Sequence, residues 1–188
     1  MADKPLPTPE QLRQLLDYDP ETGAMTWRAR RPDTFPEGKM TREHNASAWN
    51  AQHAGKAAFL TKSGNGYLQG FVFNRKLFAH RVAWAMHYGK WPKQQIDHIN
   101  GNGLDNRITN LRDVDNAENR KNQKRNSANT SGVMGVGPRP NGRRWRAEIK
   151  IGGKRLQLGT FDTFEEAVAA RKSAEARLGF HPNHGRLS

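Results

Sequence analysis

The chain has 188 residues, of which 31 are lysine or arginine and 18 are acidic, so its formal net charge is +13 with histidine neutral. That balance points to a polyanionic partner, a phosphate backbone first, and a hydrophobic fraction of 35 % argues against one large core. Cysteine is absent, which excludes disulfides, thiolate nucleophiles and cysteine-ligated metal centres.

At the N-terminus, MADKPLPTPEQL lacks the apolar core of a secretory signal. No run approaches the ~18 apolar residues of a membrane span, so a cytoplasmic protein without a membrane partner is expected. Residues 8–16 carry the marks of a short helix: Thr8 as cap, Pro9 at the first helical position, Gln11 closing a capping box, and Leu12, Leu15 and Leu16 on one face. Asp19-Pro20-Glu21-Thr22-Gly23 is a turn, and residues 24–28 follow as a short strand. From residue 30 to about 55 the apolar residues keep no period, which reads as an irregular insertion. Residues 67–73 read as a strand that turns before Leu77 and Phe78, and residues 80–88 as a helix with Val82, Ala83, Ala85 and Met86 on its apolar side.

Residues 95–100 open a compact polar unit in which Asn100, Gly101, Asn102 and Gly103 suit left-handed turns. Residues 114–126 read as a basic helix capped by Asp113 or Asp115, and 126–130 as a linker. Three short strands are expected at 132–136, 145–151 and 154–161, the last two joined at Gly152-Gly153. A helix follows at 164–178, capped by Thr163, closed by Gly179 and striped with Ala167, Val168, Ala170, Ala174 and Leu178. Residues 118–158 hold eleven lysines and arginines against two acids, which makes this stretch the preferred surface for a polyanion.

The densest chemistry runs from Asp97 and His98 through Asn110 to Asn119. Asp97 offers a carboxylate to a hard divalent cation and Asn119 a neutral carbonyl oxygen; a phosphate with waters would complete the shell. His98 suits a general base acting on water, its other ring nitrogen oriented by the side-chain carbonyl of Asn110 or by a backbone oxygen. A plainer reading competes at each position: a cap or surface network for Asp97-His98, a loop anchor for Asn110, a solvated helix residue for Asn119. His181 and His184 lack a third partner for a metal site.

The stretch AHRVAWAMHYGKWPKQQIDHINGNGLDNRITNLRDVDNAENRKN, residues 79–122, closely resembles the HNH endonucleases of the homing type found in phages. LLDYDPETGAMTWR resembles the leader of the same proteins. The resemblance implies a ββα-metal fold with Asp97-His98 on a β-hairpin facing a helix. It makes His98 the general base, Asp97 the first metal ligand, Asn110 the residue that orients the histidine and Asn119 the second ligand. Asparagine in that last place, where many bacterial relatives have histidine, favours magnesium, or manganese, over tightly held zinc. Asn116 and Asn122, each three residues from Asn119, remain rivals for its role. His80 and Arg81 match an AHR element for which a DNA contact and a supporting role both stay open. Arg120, Lys121 and Lys124 extend the basic segment as DNA contacts.

The stretch from Ser131 to Gly179, which contains SGVMGVGPRPNGRRWRAEIKIGGKRLQLGTF, resembles an AP2 DNA-binding domain. That implies three antiparallel strands lying on the major groove with a helix behind them. The residues matching the DNA-facing sheet are Arg139, Arg144, Trp145, Arg146, Lys154, Arg155 and Gln157, with core packing as the competing role for Trp145.

The expected fold is therefore α+β. A leader and irregular insertion occupy 1–62, a small ββα-metal (HNH) nuclease module 63–126, and a three-stranded antiparallel sheet plus helix 131–182. The expected activity is a magnesium-dependent endonuclease, with manganese as substitute, acting on double-stranded DNA and leaving 5′-phosphate and 3′-hydroxyl ends. Nicking and double-strand cutting both stay open, as does the oligomeric state, with a monomer preferred; a phage-encoded protein would act in the host cytoplasm. The rivals are a non-catalytic sequence-specific DNA-binding regulator and an RNA-binding or RNA-cleaving protein.

Overall fold

The computed structural model describes residues 5–126, 128–140 and 142–186. Ser127 in the expected linker and Asn141 ahead of the second expected strand of the sheet lie outside them. Among the described residues the chain is α+β, with small sheets and five α-helices, and it divides into two compact units, 1–113 and 114–188.

The first unit begins with α1 (Pro9–Leu15), where Thr8 and Gln11 form the expected capping box. Two short strands, β1 (Leu16–Tyr18) and β2 (Met25–Trp27), pair antiparallel around the Asp19 turn. α2 (Arg42–His53) follows, then the antiparallel meander β3 (Thr61–Lys62), β4 (Leu68–Val72) and β5 (Arg75–Phe78). β5 runs directly into α3 (Ala79–Tyr88), which ends at Gly89 in the left-handed region. The unit closes with the two-stranded sheet of β6 (Gln95–His98) and β7 (Leu111–Val114).

The core explains why these elements stay together. Leu12, Leu15 and Leu16 of the leader pack with Phe59, Val72, Leu77, Val82, Met86, Ile96 and Leu111 in one apolar cluster. The leader is thus part of the same core as the polar hairpin. Arg13 adds a polar clasp, its Nε and Nη2 donating to the Met86 carbonyl near the end of α3 at 3.1 and 2.6 Å.

α2 corrects the expectation of an irregular insertion. Thr41 caps it by accepting from the His44 N–H. Its sequence, REHNASAWNAQH, carries so few apolar residues that no stripe shows, and it buries Ala46.

In the second unit, α4 (Asn116–Arg120) is capped by Asp115, whose Oδ1 accepts from the Glu118 N–H. The sheet has the order β10-β9-β8, from β8 (Val136–Pro138), β9 (Trp145–Ile151) and β10 (Lys154–Phe161), all antiparallel. α5 (Phe164–Arg177), opened by a Thr163–Glu166 capping box, covers one sheet face through Ala167 against Val136 and Ala147.

Two expected elements are shorter than their sequences suggested. The basic helix stops at Arg120, because backbone groups just beyond it pair with the C-terminal segment: Lys121 and Gln123 carbonyls accept from His181 and Gly185, and Arg125 N–H donates to Arg186. The first strand starts at Val136 rather than near 132, because Gly132 and Gly135 hold φ of +83° and +72°. At Gly135 a Cβ would fall 2.1 Å from the Glu148 carbonyl oxygen, so only glycine permits that approach.

Candidate active site

β6 brings Ile96, Asp97 and His98 into the interior together, at 7, 8 and 3 % exposure. An ordinary half-exposed strand would alternate, and burial of both polar residues obliges each to find partners. Asp97 finds Arg112 across the β6–β7 pair: Nε donates to its Oδ2 at 2.9 Å, and Nη2 stands 2.7 Å from the same oxygen as an ion pair.

His98 lies in a box of rings and amide groups. Tyr67 stacks on it with centroids 5.6 Å apart, and His80 meets it edge to face at 5.1 Å. Its Nε2 is 3.3 Å from Asn106 Oδ1. An oxygen acceptor there makes Nε2 the protonated nitrogen and leaves the lone pair of the neutral ring on Nδ1. Burial pushes the His98 pKa below the usual imidazole value, against smaller opposing effects of Asn106, Asp97 and Asp105. The ring is therefore neutral at neutral pH, the state a general base requires.

Asn106 is held from the leader. Tyr18 Oη donates to its carbonyl at 2.8 Å, and Ile108 N–H donates to the Pro20 carbonyl at 3.0 Å. Gly23, at φ +76°, lies so close that a Cβ would be 2.6 Å from the backbone of Asn106 and Arg107. The side-chain carbonyl of Asn110, expected on the other ring nitrogen of His98 as an alternative to a backbone oxygen, is engaged elsewhere. Its Oδ1 accepts from the Asn100 N–H at 2.9 Å and its Nδ2 donates to the Asp105 carbonyl at 2.8 Å, so Asn110 staples the loop that leaves His98. The reason is register: Ile99 N–H pairs with the Asn110 carbonyl, which turns the Asn110 side chain back over residues 100–105. Asp105 belongs to the same net, and Arg107 beside it lowers its carboxyl pKa to about 2.

The remaining sequence candidates fall in several places. His80 is 6 % exposed, with its ring against Phe78, Tyr67 and His98, so it presents no edge to DNA. Arg81 donates to the Gln94 and Pro92 carbonyls. Asn116 and Asn119 lie on α4, in the second unit. Asn122 is beyond that helix and buried, its carbonyl and Oδ1 accepting from Arg186 Nη1. Arg120 and Lys124 are exposed, whereas Lys121 pairs with Glu118 at 3.2 Å.

On the sheet, strand parity sorts the basic residues. Arg155 stands opposite Lys150, and Gln157 opposite Glu148, so these residues and Arg146 share the face away from α5. Trp145 has the parity of buried Ala147 and Ile149, and its ring meets Phe164 of α5 at 4.8 Å. It belongs to the core side, which corrects its assignment as a DNA contact. Lys154 stands opposite Ile151, off the face of Arg155, although exposed at the hairpin end. Arg139 is exposed, and Arg144 is engaged by Asp162 at 2.8 Å.

Residues 77–121 match the HNH endonuclease family model. The match takes in Asp97, His98, Asn110 and Asn119, and it supports a nuclease. A second match, 57 % identical over 49 residues, is to an ethylene-responsive transcription factor of Arabidopsis thaliana. It covers 25 % of this chain, which spans 19 % of that relative's length. No solved structure matches.

HNH nucleases are typically dependent on a divalent metal. Among the described residues no group of three or more histidine, cysteine, aspartate and glutamate side chains forms a metal cage. The donors that remain, the Asp97 carboxylate and a carboxamide from the HNH segment, are hard oxygens. Such donors suit a hard divalent cation. Among the described residues no helix is long and apolar enough to cross a membrane.

Asn106, Tyr67 and Arg112 escaped the sequence reading. Asn106 is one of several asparagines in GNGLDNRITN, and nothing in its spacing separates it from its neighbours. Only the fold of the 99–110 loop carries it to the ring.

Proposed function

We propose that the chain is a divalent-metal-dependent DNA endonuclease that hydrolyses phosphodiester bonds. The carrying observation is the buried, neutral His98, fixed by Asn106 and stacked on Tyr67, beside the buried carboxylate of Asp97 within the HNH-matched segment. Asp97 is the residue proposed to hold the cation, which, when bound, would stabilise charge developing on the phosphate.

The chain's own residues do the rest. His98 Nδ1 accepts a proton from the attacking water as the water oxygen bonds to phosphorus. The bond from phosphorus to the 3′ oxygen breaks, that oxygen takes a proton from solvent, and the ends are 5′-phosphate and 3′-hydroxyl. Asn106 keeps the ring in the productive tautomer, Tyr67 keeps its plane, and Arg112 holds the Asp97 carboxylate in place. The domain reading that goes with this is a nuclease module over 63–126 and a recognition module over 131–182. In the latter, Arg146, Arg155 and Gln157 face duplex DNA.

The test is cleavage of supercoiled plasmid by the wild type and by His98→Ala, each with magnesium, with manganese and with EDTA. The expected result is metal-dependent cutting that falls by about 10²–10⁴-fold in the variant, and the ratio of nicked to linear product reports the strand number. Undiminished cutting by His98→Ala overturns the assignment of the base. The match to a transcription factor favours one competitor, a non-catalytic DNA-binding regulator. Sequence-selective binding with no cutting on any DNA carrying the bound site would favour that reading.

A further inference from the structure

Outside the HNH-matched segment, the first unit builds a second recess. Its cavity of ≈450 Å³ is bordered by Trp27, Arg30, Phe35, Trp49, Phe71 and Phe73. α2 makes it possible: Trp49 stands edge to face with Trp27, centroids 5.8 Å apart, and His53, one turn on, tilts against Trp49 at 4.9 Å.

The cation in this recess is held deliberately. The Arg30 guanidinium carbon lies 4.0 Å from the Trp49 ring centroid and 5.5 Å from that of Trp27. Asn50 fixes its backbone on both sides, Oδ1 accepting from Arg30 N–H at 2.8 Å and Nδ2 donating to the Arg30 carbonyl at 2.9 Å. Arg30 Nε is buried without a hydrogen-bond partner. A desolvated donor with no acceptor is costly, and it persists only where the surroundings impose it.

The opposite wall is strained in the same sense. Phe71 and Phe73 are 64 and 55 % exposed, on a hairpin whose tip, Phe73-Asn74, holds φ of +52° and +57°. Glycine or asparagine satisfies such a turn cheaply, whereas phenylalanine does not. The fold thus keeps a large ring at a tip where local preference opposes it. Residues 28–76 carry nine lysines and arginines against three acids, so the apolar recess sits in a chain segment suited to phosphate.

We propose that this recess takes an unstacked nucleobase of a DNA strand, its π face on the aromatic rings and its polar edge toward Arg30, with neighbouring phosphates on the flanking cations. The choice of DNA rests on the nuclease reading; the recess itself does not. A second copy of the chain would use the rings but gain nothing from six surplus cations, so the base is the better-matched occupant.

The experiment is fluorescence anisotropy of the full chain in EDTA, where no cutting occurs. The probes are a labelled duplex carrying one extrahelical base, the fully paired duplex, and the single strand. The double variant Phe71→Ala, Phe73→Gly removes two exposed rings and relieves the turn, so folding is retained. It is expected to bind the bulged duplex and the single strand about tenfold more weakly, with the paired duplex unchanged. Arg30→Lys, which keeps charge without a planar face, is expected to lose part of the same preference. Equal affinities of wild type and double variant for all three probes overturn the proposal. So does a wild-type dimer in sedimentation that the double variant dissociates while the preference for the bulge is unchanged, which would make the patch a self-association surface. A wild type that cuts no DNA carrying the site it binds, yet keeps the ring-dependent preference, supports the recess and removes the nuclease reading alone.

Discussion

The two compact units bury different things. In residues 1–113 the interior is a conventional apolar cluster, running from Leu12 and Leu16 to Val82, Ile96 and Leu111, and the polar site is set at its margin. In residues 114–188 the apolar cluster is thin, with Val136, Ala147 and Ala167 at its centre, and the charged residues Arg171 and Glu175 are buried beside it with His184. Arg171 Nε donates to Glu175 Oε1 at 2.9 Å, Lys172 Nζ to Oε2 at 2.9 Å, and Arg171 also meets His184 and the Glu148 carbonyl. Leucines tolerate one another in any arrangement of the right volume, but buried ions demand a particular one. The first unit is thus stabilised by volume and the second by geometry.

The difference is exposed most sharply by Glu175→Ala, which leaves the buried Arg171 charge unpaired. It should cost the second unit about 3–5 kcal/mol, measured by urea-dependent amide hydrogen exchange of residues 114–188 in the full chain. The double replacement Arg171→Met, Glu175→Leu should recover most of that loss, and a loss equal to the single variant's would show that the ions do more than fill space. In the first unit Leu12→Ala, at a position with no exposed surface, should cost about 3 kcal/mol. A cost below about 1 kcal/mol would mean that the leader is not integral to the core.

Acid probes both units next. His80 is neutral and buried, and burial foremost pushes its pKa down to about 3. The unfolded chain, with an ordinary histidine near 6.5, binds the proton first. This contribution to stability is therefore complete above about pH 6.5 and is lost as pH falls toward 3, at up to ~1.4 kcal/mol per pH unit. His80→Phe should flatten the acid limb of stability against pH. His184 in the second unit is also lowered by burial, with Glu175 opposing the shift and Arg171 and Lys172 adding to it, so its contribution is likewise lost as pH falls. The smallest effect is that of Tyr18→Phe, which removes the hydrogen bond to Asn106 and should cost about 1 kcal/mol. If that bond serves the site, plasmid cleavage should fall several-fold while DNA affinity is unchanged; an unaltered rate would confine Tyr18 to packing.

Much of the backbone was legible in the chain itself. The capping box at Thr8, the cap at Thr163, the Gly152-Gly153 hairpin and the strands at 145–151 and 154–161 are local signals, and the structure contains each of them. α2 was hidden because its helix is polar and its tryptophan faces another ring rather than a stripe. Charge on both sides of Trp145 suggests a DNA-facing residue, whereas strand parity sets it with Ala147.

The sequence alone determined the chemical vocabulary of this protein: a cation-rich chain without cysteine, an aspartate-histidine pair followed by asparagines, and a basic strand segment. It determined these because charge, ligand type and short-range periodicity belong to residues and their near neighbours. Only the tertiary structure decided that Asn106 rather than Asn110 meets His98, that His80 is sealed in the interior, and that Arg30 lies over Trp49. Each of those outcomes joins side chains through loop closure and shared burial, and several asparagines or arginines in one segment are locally equivalent until packing assigns one of them a partner.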